Sequence, residues 1–337
     1  FHLYAKRWRS PWRYCQSMYE LTAPLILKNV HLVHINHHFG LEYTTLAARL
    51  ARRPCVAHVR GIETCEWVTK NLKHLQSLAR LIAVSQAVKD RLTEVSTSLT
   101  RTRIIYNGID AKRIQIINDG VAMSVHGGAA LSQQDKLCEN LQIAPSAVLV
   151  GLIARLEPLK GVADFLRAGA VIKRTLNNVR FIIVGTGDPA YLAELEELTY
   201  HLGIQDSVTF TGFRTDVESL LVALDVLVVA TYDPLTGQGE SLSNIALEAM
   251  AARTPVVARR VGGIMEILGD GRGILVDPKG IQPLVDGVLQ ALHMSDEERR
   301  AMTERAYDVV RGQFTLPNQA RQIRVLYDEV LNGDAYR

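Results

Sequence analysis

Val148-Leu-Val-Gly-Leu-Ile153, followed by Ala154-Arg-Leu-Glu-Pro-Leu-Lys160-Gly161, a helix-length segment to Thr175 and a second apolar run, Val179-Arg-Phe-Ile-Ile-Val184, decide the fold. Two β-branched runs joined by a helical crossover are the pattern of neighbouring parallel strands, because parallel strands need a long connection and antiparallel ones do not. The rhythm continues downstream with a helix from Ala190 to Leu202, runs at Val208–Phe210 and Asp225–Ala230, a helix containing Glu248, and runs at Pro255–Ala258 and Gly273–Val276. Upstream, strands are expected at Val30–Ile35, Cys55–Val59, Leu81–Val84 and Arg103–Tyr106, with helices at Leu41–Arg53, Glu63–Leu78 and Gln86–Glu94. Between Asn107 and Ala147 the alternation stops at Asn107-Gly108, Asn118-Asp-Gly120, Gly127-Gly128 and Pro145. The fold class is therefore α/β. It reads as an N-terminal Rossmann-like domain over 1–110, a linker over 111–147 and a C-terminal Rossmann-like domain over 148–313. Ile281–Gly312 and Pro317–Leu331 are helical by periodicity, and the last helix, within 314–332, is expected to pack back on the first domain.

The chain has 337 residues, 47% of them hydrophobic, enough to bury two cores. No apolar stretch approaches the length of a membrane span, and the start lacks the apolar region of a signal peptide, so a cytoplasmic protein is expected. The net charge of +3 conceals an asymmetry: residues 1–147 carry 19 Lys and Arg against 10 Asp and Glu, leaving 19 against 25 for the remainder. The basic half opens with Phe1-His-Leu-Tyr-Ala-Lys-Arg-Trp-Arg-Ser-Pro-Trp-Arg-Tyr14. Such interleaved aromatic and basic residues fit a segment lying peripherally on an anionic membrane, or a solvated helix whose aromatics pack on their own sheet. No helix-turn-helix, aromatic RNA-binding motif or zinc-finger spacing points to nucleic acid. Cys15, Cys55, Cys65 and Cys138 form no C-x-x-C or Cys/His cluster and read as reduced, mostly buried thiols with no metal.

In open parallel sheets, ligands lie beyond the carboxyl ends of the strands, which directs attention to the loops there. Arg155 and Lys160 fall in the loop after the first strand of the second domain, two cations suited to a diphosphate. Gly185-Thr-Gly187-Asp-Pro-Ala190 has the form G-x-G-x-x-A. It follows the second strand rather than the first, however, and the next strand ends in Thr209-Phe-Thr-Gly212 without an acid for a ribose, so it reads as a tight turn with close backbone approach. Phe213 and Arg214 could sandwich a base, or Phe213 could be core. Glu240-Ser-Leu-Ser-Asn-Ile-Ala-Leu-Glu248 reads as a helix start, with Ser241 or Ser243 as cap and the amides of Leu242, Ser243 and Asn244 facing an anion. Glu240 falls in the Gly-containing loop after Gly237 and Gly239; were the helix to begin at Glu240 itself, the two glutamates would differ by roughly 80° in direction and ~12 Å in height and so would grip different parts of one extended ligand. Two dressed surface glutamates are the plainer alternative. In the first domain the loop Asn36-His37-His38-Phe39-Gly40 and the strand end His58-Val-Arg60-Gly61 supply His37, His38 and His58 as acceptor-side candidates and Arg60 as a charge-stabilising group. No Asp-x-Asp metal clamp or nucleophile–histidine–acid order is present.

Taken together, Arg155 with Lys160, Gly185-Thr-Gly187, Gly212-Phe-Arg214, Glu240 and Glu248, and Pro255-Val-Val-Ala258 followed by Gly262-Gly263 and Glu266, resemble glycosyltransferase family 4 along residues 148–278. Ile82-Ala-Val-Ser85, Lys89 and Tyr106-Asn-Gly-Ile-Asp110 extend the resemblance to the first half. The resemblance implies a GT-B fold, two Rossmann-like α/β/α domains facing across a cleft. It further implies a retaining, metal-independent transfer of a sugar, a hexose in the first instance, from a nucleotide-diphosphate sugar to a polysaccharide, lipid-linked or small acceptor. On that reading the co-substrate is the only cofactor, Arg155 and Lys160 neutralise the leaving diphosphate, Glu248 holds the ribose, and Glu240 contacts the sugar. Arg60 stands where many relatives place a histidine. The family's N-terminal strand and Gly-rich loop have no counterpart, so the N-terminal domain reads as truncated. A nucleotide-sugar 2-epimerase of the same fold and a catalytically silent nucleotide-sugar-binding protein are the alternatives.

Overall fold

A computed structural model describes residues 11–36, 40–109, 133–232 and 239–333. The elements fall into two compact units, residues 1–106 with 319–337 (unit 1) and residues 107–318 (unit 2).

Unit 1 opens with α1 (Pro11–Leu27), whose first position suits a proline because the missing N–H would have had no intrahelical acceptor. The basic segment ahead of it, 1–10, lies outside the described residues. Four strands follow, β1 (Val33–Ile35), β2 (Cys55–Val59), β3 (Arg80–Ala83) and β4 (Thr102–Ile104), all parallel and in the order β1-β2-β3-β4. Each residue of β2 is buried, as expected of a parallel strand covered on both faces. The crossover helices are α2 (Leu41–Leu50), α3 (Cys65–Gln76) and α4 (Gln86–Val95). Thr64 Oγ1 accepts from Trp67 N at 3.1 Å and Ser85 Oγ from Val88 N at 3.3 Å, so α3 and α4 carry side-chain N-caps. The closing helix (Leu316–Leu331) completes this unit, with Leu326 and Val330 packed on Val56, Ala79, Ile82 and Ile105.

Unit 2 begins with α5 (Gln133–Asn140), in the stretch read above as linker. Leu137 and Cys138 are buried, and Gln134 Nε2 donates to Asp225 Oδ2 and Ala147 O, which docks this helix onto the unit. Residues 110–132 lie outside the described residues. The strands are β5 (Val148–Ile153), β6 (Val179–Val184), β7 (Val208–Gly212), β8 (Val226–Val229), β9 (Val256–Arg259) and β10 (Ile274–Val276), all parallel, in the order β10-β9-β8-β5-β6-β7. The connecting helices are α6 (Val162–Thr175), α7 (Pro189–His201), α8 (Val217–Ala223), α9 (Asn244–Ala251), α10 (Ile264–Leu268), α11 (Gln282–His293) and α12 (Asp296–Gln313), and the closing helix is α13. In α6 the buried positions Val162, Phe165, Leu166, Gly169 and Ile172 recur at helical spacing. Phe165 meets Phe181 of β6 edge-on at 5.7 Å, and a Cβ on Gly169 would lie 3.2 Å from that same ring.

The stretch read as one helix over Ile281–Gly312 is two. It breaks at Ser295, whose side chain and Glu298 form a reciprocal capping box that starts α12. The chain returns from unit 2 by pairing with its outbound segment: Ile109 lies in parallel bridge with Thr315, and Gly108 leaves no room for a Cβ, which would fall 2.3 Å from the Thr315 backbone. No helix among the described residues is long and apolar enough to cross a membrane.

Candidate functional site

The strand order of unit 2 reverses between β5 and β8, the first strand after the crossover being laid on the other side of the starting strand. Loops leaving the carboxyl ends at such a reversal diverge and leave a crevice between them. The two loops here are 154–161 after β5 and the one after β8, described at 230–232 and 239–243, which hold Arg155, Lys160, Glu240, Leu242 and Ser243 of the expected donor-side residues.

Backbone packing at this end depends on glycine. Gly161 has φ 70°, and a Cβ there would sit 2.2 Å from Ala230 O, so the loops after β5 and β8 touch through this residue. Gly185, at φ 137°, lets β6 pass Ala154 O, which would be 1.8 Å from its Cβ. Gly187 bridges to Leu156. The Gly185-Thr-Gly187 element thus supports the 154–156 loop through close backbone approach, as its position after the second strand predicts.

Within this frame Lys160 Nζ lies 2.7 Å from Glu240 Oε1, with both side chains mostly shielded at 19% and 16% exposure. Thr231 Oγ1 donates to the same carboxylate oxygen at 2.7 Å, and Gly263 N donates to Glu240 O at 2.7 Å. Glu240 is therefore held in a loop, and α9 starts four residues later at Asn244. This is the loop position expected from the neighbouring glycines, so the conditional geometry of a helix starting at Glu240 itself does not arise: the segment 239–243 is drawn away from helical form by these contacts and by Gly239, whose Cβ would strike Val261 Cγ2 at 2.1 Å. Ser243 occupies the N-cap position but makes no side-chain cap bond, and its buried Oγ has no partner among the described residues. Leu242 is buried beside it, whereas Asn244 is exposed and its Oδ1 accepts from Asn107 Nδ2 at 3.3 Å. The first amides of α9 have no intrahelical acceptor, which makes this end favourable for an anion. Glu248 stands one turn into α9 and is half-buried.

Arg155 is not brought onto Lys160's partner. Its Nη1 pairs with Glu157 at 2.5 Å on a side chain 74% exposed. Arg214 is held by Asp216 through Nε at 2.9 Å and Nη2 at 2.5 Å, and this bidentate pairing keeps the Asp216 carboxyl below the usual carboxylate range. Phe213 is 75% exposed, which removes it from the core and leaves a ring free to face solvent or a planar ligand.

Arg259, the last residue of β9, was not expected at the site. Only 2% exposed, it donates to Asp164 Oδ2 at 2.7 Å, to Ala230 O at 3.1 Å and to Gly280 O at 3.1 Å. It braces the end of β8, at Ala230, against Asp164 in the first turn of α6. A charged residue closing an apolar strand was its only signal in the sequence.

In unit 1, Arg60 Nε donates to Asn36 O at 2.9 Å and Nη2 to Asn36 Oδ1 at 2.6 Å, fixing the guanidinium against the loop after β1; burial lowers its basicity. His37 and His38 lie outside the described residues. His58 is 1% exposed, so it faces the interior instead of an acceptor. Its Nδ1 lies 2.8 Å from His34 Nε2, and His34 Nδ1 bonds the Tyr327 hydroxyl of α13. Burial, with Arg60 and His34 adding to it, lowers the His58 pKa to about 3, so the ring is neutral at neutral pH. No group of three or more His, Cys, Asp or Glu among the described residues is arranged to hold a metal ion.

Comparison with known proteins bears on the family and the fold. Residues 133–309 match the family model for glycosyl transferases group 1, and residues 2–113 match that for glycosyltransferase family 4. The chain is 28% identical over 261 residues to D-inositol 3-phosphate glycosyltransferase of Corynebacterium kroppenstedtii, covering 75% of this chain and 53% of the relative. It is 28% identical over 313 residues to N-acetyl-alpha-D-glucosaminyl L-malate synthase of Bacillus anthracis, covering 91% and 77%. The chain spans between 50% and 60% of the length of the first curated relatives. Among solved structures, Anabaena HepE in complex with UDP superposes with a TM-score of 0.77 at 26% identity, covering 91% of this chain and 82% of that one. The same protein has been solved with UDP-glucose.

Proposed function

The chain belongs to the family 4 glycosyltransferases, with the GT-B fold, and from that premise we propose that unit 2 binds a nucleotide-diphosphate sugar from which the protein transfers a hexose, with retention and without a metal, to a saccharide or lipid-linked acceptor. The observation that carries this reading is the Lys160–Glu240–Thr231 contact, set where the strand order reverses and in front of the N-terminus of α9. A diphosphate seated there would meet the Lys160 ammonium, the amides of Leu242, Ser243 and Asn244, and the Ser243 hydroxyl, with Arg155 free to swing from its exposed partner. Positive groups fixed at the leaving diphosphate lower the barrier most, because charge accumulates there as the glycosidic bond breaks. Glu240 would hold sugar hydroxyls, Glu248 the ribose, and Phe213 with Arg214 the base. UDP is the first nucleotide to try, since HepE binds it.

The test is to incubate the full-length protein with UDP-glucose, UDP-N-acetylglucosamine and GDP-mannose, with and without saccharide and lipid-linked acceptors. Nucleotide release that requires an acceptor supports transfer. Proton exchange at sugar C2 without transfer, or binding without turnover, would replace it with epimerisation or a silent binding role. Product anomers read by NMR test retention, and activity abolished by a chelator would overturn metal independence. Glu248→Ala should weaken nucleotide binding, while Glu240→Ala should mainly lower turnover; wild-type activity in both would sink these assignments.

A further inference from the structure

At the amino ends of the unit 1 strands, opposite the end that carries Arg60, lies a cavity of about 710 Å³ whose lining includes His31, Arg49, Arg52 and Arg53 together with Val330 and Leu331 of α13. Among the described residues no Asp or Glu lines it, and none forms an ion pair with these three arginines. Arg53 Nε is buried and has no hydrogen-bond acceptor among the described residues. Burying a guanidinium N–H with nothing to accept from it is unfavourable by about 1–3 kcal/mol or more, so a site that does so is complementary to an anion.

The arginines are not needed to cap the helix they follow. Where α2 ends, Ala51 N donates to Ala47 O, Arg52 N to Arg49 O at 3.0 Å and Arg53 N to Ala48 O at 2.8 Å, so backbone amides already satisfy the last carbonyls. This reversal puts Arg52 at φ 54°, a left-handed position where glycine is the common occupant, and it locks the backbone from which Arg52 and Arg53 project.

We propose that this cavity binds a phosphate-bearing small molecule, its phosphate held by Arg49, Arg52 and Arg53 and its apolar body against Val330 and Leu331. Guanidinium forks match phosphate oxygens two at a time, and three of them around one cavity would hold a phosphomonoester dianion. Such a ligand would rest on both the strand ends and α13, so binding would tie the closing helix to its sheet.

The test uses glycerol 3-phosphate as a soluble probe, with UDP at saturation, and vesicles of phosphatidic acid in phosphatidylcholine as a membrane-borne one. Hydrogen exchange should slow at 45–55 and at 330–333 on addition of either probe, with a Kd below about 1 mM. Arg49→Gln with Arg53→Gln should weaken binding at least about tenfold without lowering the thermal midpoint in the absence of probe. Should that pair fail to fold, Arg52→Gln, at an exposed side chain, should weaken it at least about threefold. Response to the soluble probe assigns the site to a free metabolite, and response to the vesicles alone assigns it to a lipid headgroup. No protection at 45–55, or protection that the substitutions leave unchanged, would overturn the proposal.

Discussion

The chain contains two parallel sheets that use the same strand and helix vocabulary to different ends. In unit 2 the order β10-β9-β8-β5-β6-β7 reverses beside its first strand, whereas in unit 1 the described strands run β1-β2-β3-β4 without reversal. A reversal parts two loops at the carboxyl ends and leaves polar groups there with room for a ligand. A monotone order offers no such parting at the carboxyl ends, and the buried histidines of unit 1 instead join elements: His58 to His34, and His34 to Tyr327 of α13. Sheet topology, more than residue type, separates a ligand-facing cluster such as Lys160–Glu240 from a histidine chain that closes a core.

The contrast should break most sharply at Arg259. Arg259→Ala removes the buried guanidinium that binds Ala230 O, Gly280 O and Asp164, leaving Asp164, among the described residues, only its exposed Arg167 partner, and opens a void beneath the end of β8, which is expected to reduce unfolding stability by about 2–4 kcal/mol. The denaturant midpoint of the unit 2 transition should fall and nucleotide binding with it; wild-type stability would show that the ligand-facing end needs no brace.

Next in size is Lys160→Ala, a change at the ligand-facing end that leaves both cores intact. A sheltered charged hydrogen bond to phosphate contributes about 1.5–3 kcal/mol, so UDP affinity measured by calorimetry should drop roughly 10- to 150-fold with little change in Tm. Unaltered affinity would remove Lys160 from the proposed donor site.

Much of this contrast can be read from the sequence, and the unread part has physical causes. The strands of unit 2 were legible because burial on both faces makes runs such as Val179–Val184 continuously apolar, and the loops between them could then be placed at the carboxyl ends. Lys160 and Glu240 were legible singly, as ligand residues, but not as partners, since nothing local links positions 80 residues apart. Arg259 was missed for the same reason: Asp164 is 95 residues away, and a strand-final arginine looks like a surface charge. Glu240 was legible as a loop residue from the glycines beside it, but the choice between Ser241 and Ser243 as cap was not, because tertiary contacts of the 239–243 segment decide it in favour of Ser243. The short helices α8 and α10 carry too few turns for periodicity to mark them.

The two units should also part on acidification. The His58 pKa is about 3 in the folded chain and near the ordinary value of 6.5 when unfolded, so between these limits the unfolded chain binds more protons. Stability from the neutral ring is fully present above pH 6.5 and is lost as pH falls towards 3, by up to about 1.4 kcal/mol per pH unit. His34, also lowered by burial, acts in the same direction. Urea midpoints at pH 7 and pH 5 should therefore fall for unit 1 more than for unit 2, and His58→Gln should flatten the unit 1 dependence. Equal acid sensitivity of both units would contradict the reading of the histidine chain as buried and neutral.

The smallest effect should come from the rim of the same interface. Arg103 Nη1 of β4 reaches Glu329 Oε1 of α13 at 2.8 Å, but the side chains are 42% and 28% exposed, where solvent screens the attraction and ordering two long side chains offsets it. Arg103→Ala is expected to shift stability by about 0.2–1 kcal/mol, an effect that 0.5 M salt should erase. Leu326→Ala, which removes a fully buried side chain from the same helix, should instead destabilise unit 1 by about 2–5 kcal/mol. Amide exchange within 319–331 can rank the two. If Arg103→Ala released the helix as readily as Leu326→Ala, its docking would be electrostatic, and unit 1 would then be organised around surface charge and not around the apolar seam at Val56 and Ile82.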